Sequence, residues 1–519
     1  MALFELVLAL LLGGVGLVLL APHLGVPWPA LLALAGAALA FVPGVPEAVL
    51  EPELALALFV APVLLDAAYD ASPRDLRDNG VPVGGLVLGA VGLTVAAVAG
   101  VAQWLEPSLP WAAAVALGAI VAPPDAAAAT AVLRQVRIPH RVAVILEGES
   151  LLNDASALLI YRVAVGAAAA GVTAWTVPLL ALAALGGVAL GVALARAYLA
   201  VMARVEAGAP GVVLQFLSTF GVWLLAEALG LSAVLTMVAY ALTLARLAPE
   251  RIGARQRRAA YAVWEVAVFV LNVLAFVLVG LQLRGILARL DGQVGRYVGF
   301  ALAVLAVVVA VRIAWVLGYY AAARWKDRRF GAQAPRWPMP PRTVGGAIVV
   351  SWCGMRGIVT LAAALALPEG FRGRDLIVFA AFGVVLGTLV VQGLTLRPLL
   401  SRLALPRDES VAQEVTLARA ETARAALDAL AAAADRADRD GEARHLLERA
   451  YRARLEACGR PGGGAADPTG LGALRRVALA AERARLAALR REERIGDDAF
   501  HQIEEELDWA EAEVDGSGH

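Results

Sequence analysis

Thirteen stretches of the 519-residue chain are apolar for long enough to cross a bilayer, and no soluble fold can hide so many of them. They run approximately over residues 2 to 21, 30 to 46, 53 to 70, 83 to 104, 111 to 133, 141 to 168, 178 to 203, 211 to 229, 231 to 247, 258 to 283, 297 to 323, 343 to 367 and 375 to 402. Hydrocarbon offers no partner to a backbone N–H or C=O, so a segment that crosses it satisfies its own hydrogen bonds as a helix. With 60% hydrophobic residues and a mean hydropathy of +0.71, the chain is more apolar than a soluble globule at about 45 to 50%. The expected fold is an all-α polytopic membrane protein, with 13 transmembrane helices over residues 1–404 and a soluble helical tail over residues 405–519.

Basic residues give the orientation, because Arg and Lys accumulate in cytoplasmic loops close to helix ends. One set of alternate loops holds Arg74 and Arg77, then Arg134, Arg137 and Arg141, then Arg204, then Arg251, Arg255, Arg257 and Arg258, then Arg324, Lys326, Arg328, Arg329, Arg336 and Arg342. The opposite set is acidic or nearly uncharged, with Glu47, Glu51, Glu53 and Glu106, although Arg284, Arg289 and Arg296 weaken the contrast in one loop. This asymmetry puts the N-terminus outside and the tail in the cytoplasm, with the lipid of the inner membrane around the helices. No Lys or Arg precedes the first segment, unlike the n-region of a signal peptide, so that segment is expected to be retained as a helix.

Past Pro406 the chain turns to Ala, Arg, Glu and Leu at helical spacing, interrupted by Asp440-Gly441 and by a Gly-rich run at 459 to 472. The tail's charges are mixed in sign, which argues for a solvated regulatory or assembly segment rather than a ligand for nucleic acid or a membrane surface. Cys353 and Cys458 have no ligand-spaced partners, so neither metal nor disulfide chemistry is expected of them.

A few polar residues stand at one depth in the apolar segments. A charge at the bilayer centre costs about 2.5 to 3.5 kcal/mol on insertion scales, so its default reading is functional. Segment five enters from outside at Trp111 and, at about 1.5 Å per residue, reaches Pro123, Pro124 and Asp125 near mid-membrane. Proline removes backbone donors and breaks the helix, which lipid tolerates only around a polar cavity. Segment twelve enters from inside near Thr343 and reaches Cys353-Gly354-Met355-Arg356-Gly357 at the same depth, a second break. The two segments run in opposite directions, as inverted repeats would place them. Broken helices crossing at the midplane leave half-helix dipoles that Asp125 and Arg356 are placed to neutralise.

Segment six starts near Arg141 and puts Asp154 at mid-depth, with Ser150 four residues earlier on the same face. Both offer hard oxygen ligands. Glu149, five residues from Asp154, points about 140° away round the helix. Its expected partner is Arg312, the one mid-depth charge of segment eleven, because an unpaired guanidinium in lipid would be prohibitive. Asp66 in segment three lies at the same depth and is a second candidate carboxylate. Glu265 in segment ten is shallower, about 10 Å from the cytoplasmic end, where a gate, a water-lined funnel and a snorkelling side chain all fit.

LEGESLLNDASAL at 146 to 158 resembles the Asn-Asp signature of the monovalent cation:proton antiporter family, which includes bacterial and animal sodium/proton exchangers. APPDAAAATAV at 122 to 132 resembles that family's broken helix, and VWEVAVFVLNVLAFVLVGLQL at 263 to 283 its Trp-Glu helix. SWCGMRGIVTLAAALALP resembles its Gly-x-Arg-Gly helix, and DDAFHQIEEELDWAE the tail of bacterial members. The resemblance implies a thirteen-helix homodimer whose six-helix core moves like an elevator against a dimerisation domain. It implies that Asp154 exchanges H⁺ for Na⁺ or Li⁺, with Ser150, Asp66 and groups around Asp125 completing the ligands. Asn153 would hold the broken helices, Glu149 and Arg312 would form a buried pair, and Arg356 would support the crossing. No cofactor is implied. Asn before the Asp goes, in the family, with electroneutral one-for-one exchange.

Two departures bear on the ion. Many members have Thr-Asp-Pro where this chain has Pro124-Asp125-Ala126, which removes a hydroxyl ligand that Thr130 replaces only weakly. Position 66 is Asp where many prokaryotic members have Glu, shortening the reach by one methylene. K⁺/H⁺ exchange is a rival within transport, and a non-transporting cation or pH sensor is another. An intramembrane hydrolase using Asp125 and Asp154 as acid and base lacks any accompanying catalytic motif.

Overall fold

The computed structural model describes residues 2–43, 52–125, 138–171, 176–205, 208–289, 294–330, 343–403, 405, 408–434, 441–457 and 472–516. Among these residues there is no strand. α1 (Ala2–Leu24) and α2 (Trp28–Leu39) form a hairpin that turns at Gly25, where φ is 66°. α3 comprises Pro52–Ala55, a π turn at Leu56–Val60 and Ala61–Asp70. Pro62 explains the widened turn, since its ring would collide with a carbonyl one turn back in a regular α-helix. α4 (Pro73–Asp78) is capped by Ser72, whose Oγ accepts from the Asp75 amide at 3.2 Å. Next come α5 (Gly80–Leu105, with a π turn at Gly85–Ala90), α6 (Trp111–Val121), α7 (His140–Ala170), α8 (Thr176–Met202) and α9 (Ala209–Ala228). α10 (Ala233–Arg251), α11 (Ala254–Ala288) and α12 (Val294–Phe330) lead to the half-helices α13 (Val344–Trp352) and α14 (Ile358–Leu365), then α15 (Arg374–Arg402).

Each expected apolar segment coincides with a helix or a broken helix to within a few residues, while 44–46 of the second segment and 126–133 of the fifth lie outside the described residues. Among the described residues, eight helices are long and apolar enough to cross a membrane. The usual soluble pattern is inverted: Leu12, Leu19, Leu182, Leu185 and Leu217 point outward, as they do when lipid is the solvent.

Two apolar bodies form inside. One joins α2 and the distal half of α11 to α5–α7 and α12–α15. The other packs most of α3 with α8–α10 and takes Leu151 and Ala155 from α7 and Trp264 and Val268 from the first half of α11. α3, α7 and α11 each contribute to both bodies, and α11 crosses α2 closely because Gly280 and Gly36 meet backbone to backbone; a Cβ on either would overlap the facing chain.

The tail helices α16 (Ser410–Ala434), α17 (Gly441–Ala457), α18 (Gly472–Arg491) and α19 (Asp497–Gly516) follow, and α16, α18 and α19 share a cluster that includes Val415, Leu486, Phe500 and Ile503. One side of this tail is docked rather than solvated. Arg257 at the start of α11 is 4% exposed and pairs with Glu504 at 3.3 Å and Asp508 at 2.6 Å. Arg77 meets Glu493 at 2.6 Å and Arg74 meets Glu414 at 3.4 Å. Three arginines that serve the orientation argument as loop charges are therefore also the anchors of the tail. Of the other loop positions used in that argument, Glu47, Glu51, Arg134, Arg137, Arg336 and Arg342 lie outside the described residues, as does Cys458.

Candidate functional site

Both predicted breaks are present, and they are joined. α6 stops at Val121, ahead of Pro123 and Pro124, and the Asp125 amide donates to the Met355 carbonyl at 2.7 Å. Residues 353–357 are non-helical between α13 and α14. The fully buried Arg356 guanidinium donates from Nε to the Val121 carbonyl at 2.9 Å and from Nη2 to the Ala122 carbonyl at 3.0 Å, and it also reaches the Gly354 carbonyl. A cation thus stands on the unsatisfied carbonyls at the C-terminus of α6. Asp125 takes the complementary place. Its carboxylate lies against Gly357, the N-cap of α14, so closely that a Cβ there would overlap it, and an anion at a helix N-terminus is stabilised by the same dipole.

α7 supplies two faces. On one, Glu149 receives Nη1 of Arg312 at 2.5 Å and Nη2 at 2.8 Å. Arg312 also donates to the Val350 carbonyl at 2.9 Å, so it ties α7 to α12 and caps the end of α13. Asn153 is fully buried and points its Nδ2 at the Pro124 carbonyl, 3.5 Å away.

The other face of α7 opens on a cavity of about 880 Å³. Asp154 lines it at 7% exposure, together with the half-buried Ser150, Asp125 and Asp66. Glu265 also lines this cavity. Asn153, Glu149, Arg312 and Arg356 stand behind the wall, where they fix the elements that line it. Among the described residues no three His, Cys, Asp or Glu side chains converge as they would around a tightly held metal. Carboxylate, hydroxyl and carbonyl oxygens around an open space suit a hard monovalent ion that enters and leaves. Ala126 and Thr130, the departures from the family pattern at the first break, lie outside the described residues.

Sequence reasoning passed over several cavity residues. Glu147 lines the space, and its position seven residues before Asp154, two turns along one face, was a usable signal. Asn272 stands likewise seven residues beyond Glu265 on α11, and Thr360 contributes from α14. Arg257 borders the cavity as well as holding the tail.

A family model described as sodium/hydrogen exchanger, transmembrane, matches residues 7–402. An uncharacterized Na⁺/H⁺ exchanger of Mycobacterium tuberculosis is 36% identical over 423 residues, covering 78% of this chain and 76% of that protein. A sodium, potassium, lithium and rubidium/H⁺ antiporter of Bacillus subtilis is 30% identical over 368 residues, or 66% of this chain and 53% of that protein. The solved sodium proton antiporter of Methanocaldococcus jannaschii at pH 8 shares the fold, with a TM-score of 0.57 over 78% of this chain and 99% of that one at 18% identity.

Proposed function

The chain belongs to the sodium/hydrogen exchanger family, and from that premise we propose that it exchanges Na⁺ or Li⁺ for H⁺ across the cytoplasmic membrane, one for one and without net charge transfer. The observation that carries the reading is Asp154, a deeply set carboxylate on a cavity at the crossing of two broken helices. Such a carboxylate holds either a proton or a cation, and never both at once, so competition couples the two fluxes. Ser150, Asp125 and Asp66 are the further oxygen donors, and Asn153 in place of a second acid leaves one exchangeable charge at that position. Glu149 with Arg312, and Arg356, hold the frame, while Glu265 belongs to the entrance. No cofactor takes part, and the chemistry is transport rather than catalysis.

Alternating access in this reading is an elevator movement of the body containing α5–α7 and α12–α15 against the one containing α3 and α8–α10, in a homodimer. The arginine-rich loops support a cytoplasmic tail and an external N-terminus. K⁺/H⁺ exchange is the second reading, favoured by the potassium in the name of the Bacillus subtilis relative.

The test is reconstitution into liposomes with a trapped pH dye, an imposed pH gradient, and addition of Na⁺, Li⁺ or K⁺. Wild type should show cation-dependent dequenching, and Asp154→Asn should abolish it. Silence with every cation from folded, dimeric wild type would replace exchange with a sensing role.

A further inference from the structure

Among the described residues outside the crossing, two buried amide side chains have a carbonyl oxygen with no hydrogen-bond partner, Asn272 on α11 and Gln392 on α15. A buried acceptor without a donor is costly, and its retention calls for a reason. Gln392 is buried on α15 and is not part of the cavity wall. Asn272 is 8% exposed and lines the cavity that holds Asp154. Trp28 and Phe269, whose rings lie 6.5 Å apart, line the same cavity.

Asn272 and Asp154 stand at similar distances along their helices from the tail contacts. α7 and α11 are anchored to the same tail helix near their starts, through His140 to Asp498 at 3.2 Å and through Arg257 to Asp508 at 2.6 Å. Asp154 is 14 residues beyond His140, and Asn272 is 15 beyond Arg257. At about 1.5 Å per residue both stand roughly 21 to 23 Å in. Each also has a carboxylate two turns nearer the tail on its own face, Glu147 below Asp154 and Glu265 below Asn272, and all four line the one cavity.

Taking the exchange reading above as given, we propose that Asn272 Oδ1 contacts the transported cation from α11 and sets the order of preference among monovalent cations. An amide oxygen is a hard, neutral donor to Na⁺, Li⁺ or K⁺, but it takes no proton near neutral pH. It therefore weights the competition at Asp154 toward the cation without altering the charge exchanged.

Full-length wild type, Asn272→Ala and Asn272→Leu in proteoliposomes, assayed with Na⁺, Li⁺ and K⁺ at one pH, test the assignment. Both variants should raise the KM for the preferred cation about fivefold or more, the factor one oxygen contact carries, and change the ratio of KM values between cations while the maximal rate stays within about twofold. Asn272→Asp, equal in size, should lower the cation KM and covers the case in which the apolar variants fail to fold. Unchanged KM ratios in folded variants, or losses confined to maximal rate and thermal stability, overturn the role and leave exchange standing. Wild type without cation-dependent flux removes the exchange reading, and this role with it.

Discussion

Replacing Glu149 by Gln leaves the Arg312 guanidinium in place, 3% exposed, with its counter-charge gone. Breaking a buried pair from one side costs about 3 to 5 kcal/mol. Here the loss should fall near the lower end, about 3 kcal/mol, because Arg312 keeps its bonds to the Val350 carbonyl at 2.9 and 3.2 Å when the carboxylate bonds at 2.5 and 2.8 Å are lost. Adding Arg312→Met removes the stranded charge but strips the donor from the carbonyls that end α13, a penalty of about 1 to 3 kcal/mol. The double variant should thus be more stable than Glu149→Gln and less stable than wild type. Unfolding of the detergent-purified protein by increasing dodecyl sulfate, followed by the fluorescence of its 11 tryptophans, gives the three midpoints. A single variant as stable as wild type, or a double variant no better than the single one, would falsify the view that the pair acts through charge compensation. Cation preference should be the same in whatever folds, since neither residue lines the cavity.

Two further outcomes follow from the geometry. Gly357→Ala would push the Asp125 carboxylate off the N-terminus of α14, so exchange should drop at least tenfold with a stability loss of about 1 to 2 kcal/mol; wild-type flux would show that Asp125 need not sit there. His501 on α19 is held below its ordinary value of 6.5 by burial, helped by Arg490 and Arg257 and opposed by Asp497 and Asp498, and its ring stacks on Tyr69. A free tail therefore takes up a proton that the docked tail resists, so docking is full above that value and weakens as pH falls through it; the protection of α19 amides against hydrogen exchange, referred to the intrinsic rate at each pH, should fall below pH 6.5, and His501→Asn should flatten the change.

The helices were legible because lipid fixes their length and composition, and the breaks were legible because Pro123-Pro124 and Gly354…Gly357 cannot continue a helix in a place where water is absent. Glu149 and Arg312 are 163 residues apart, yet the cost of leaving either charge alone was enough to pair them. Arg356 was expected to meet a dipole, but not that of α6, because periodicity describes one helix at a time and says nothing of which helix end it will face. Asn272 escaped for a similar reason: an amide carries no charge whose burial demands an explanation, and its missing partner exists only in three dimensions. Hydropathy also truncated α11, read as 258 to 283 but helical over Ala254–Ala288, since the polar first turn is stabilised by the tail and not by lipid.

That first turn bears on entry to the cavity. Arg257 borders the space a cation would cross, and a bare guanidinium about 8 Å from the ion would oppose it by about 2 kcal/mol at an effective dielectric of about 20. Glu504 and Asp508 of the docked tail stand against that charge at 3.3 and 2.6 Å, and the carboxylates of Glu147 and Glu265 line the same cavity as Asp154. The tail's mixed-sign composition, which by itself pointed only to solvation, thus has a specific electrostatic consequence. Its acids at 504 and 508 fall one helical turn apart on the face that meets α11, where both pair with Arg257 at the border of the cavity; in the exchange reading this lowers the electrostatic barrier to an entering cation.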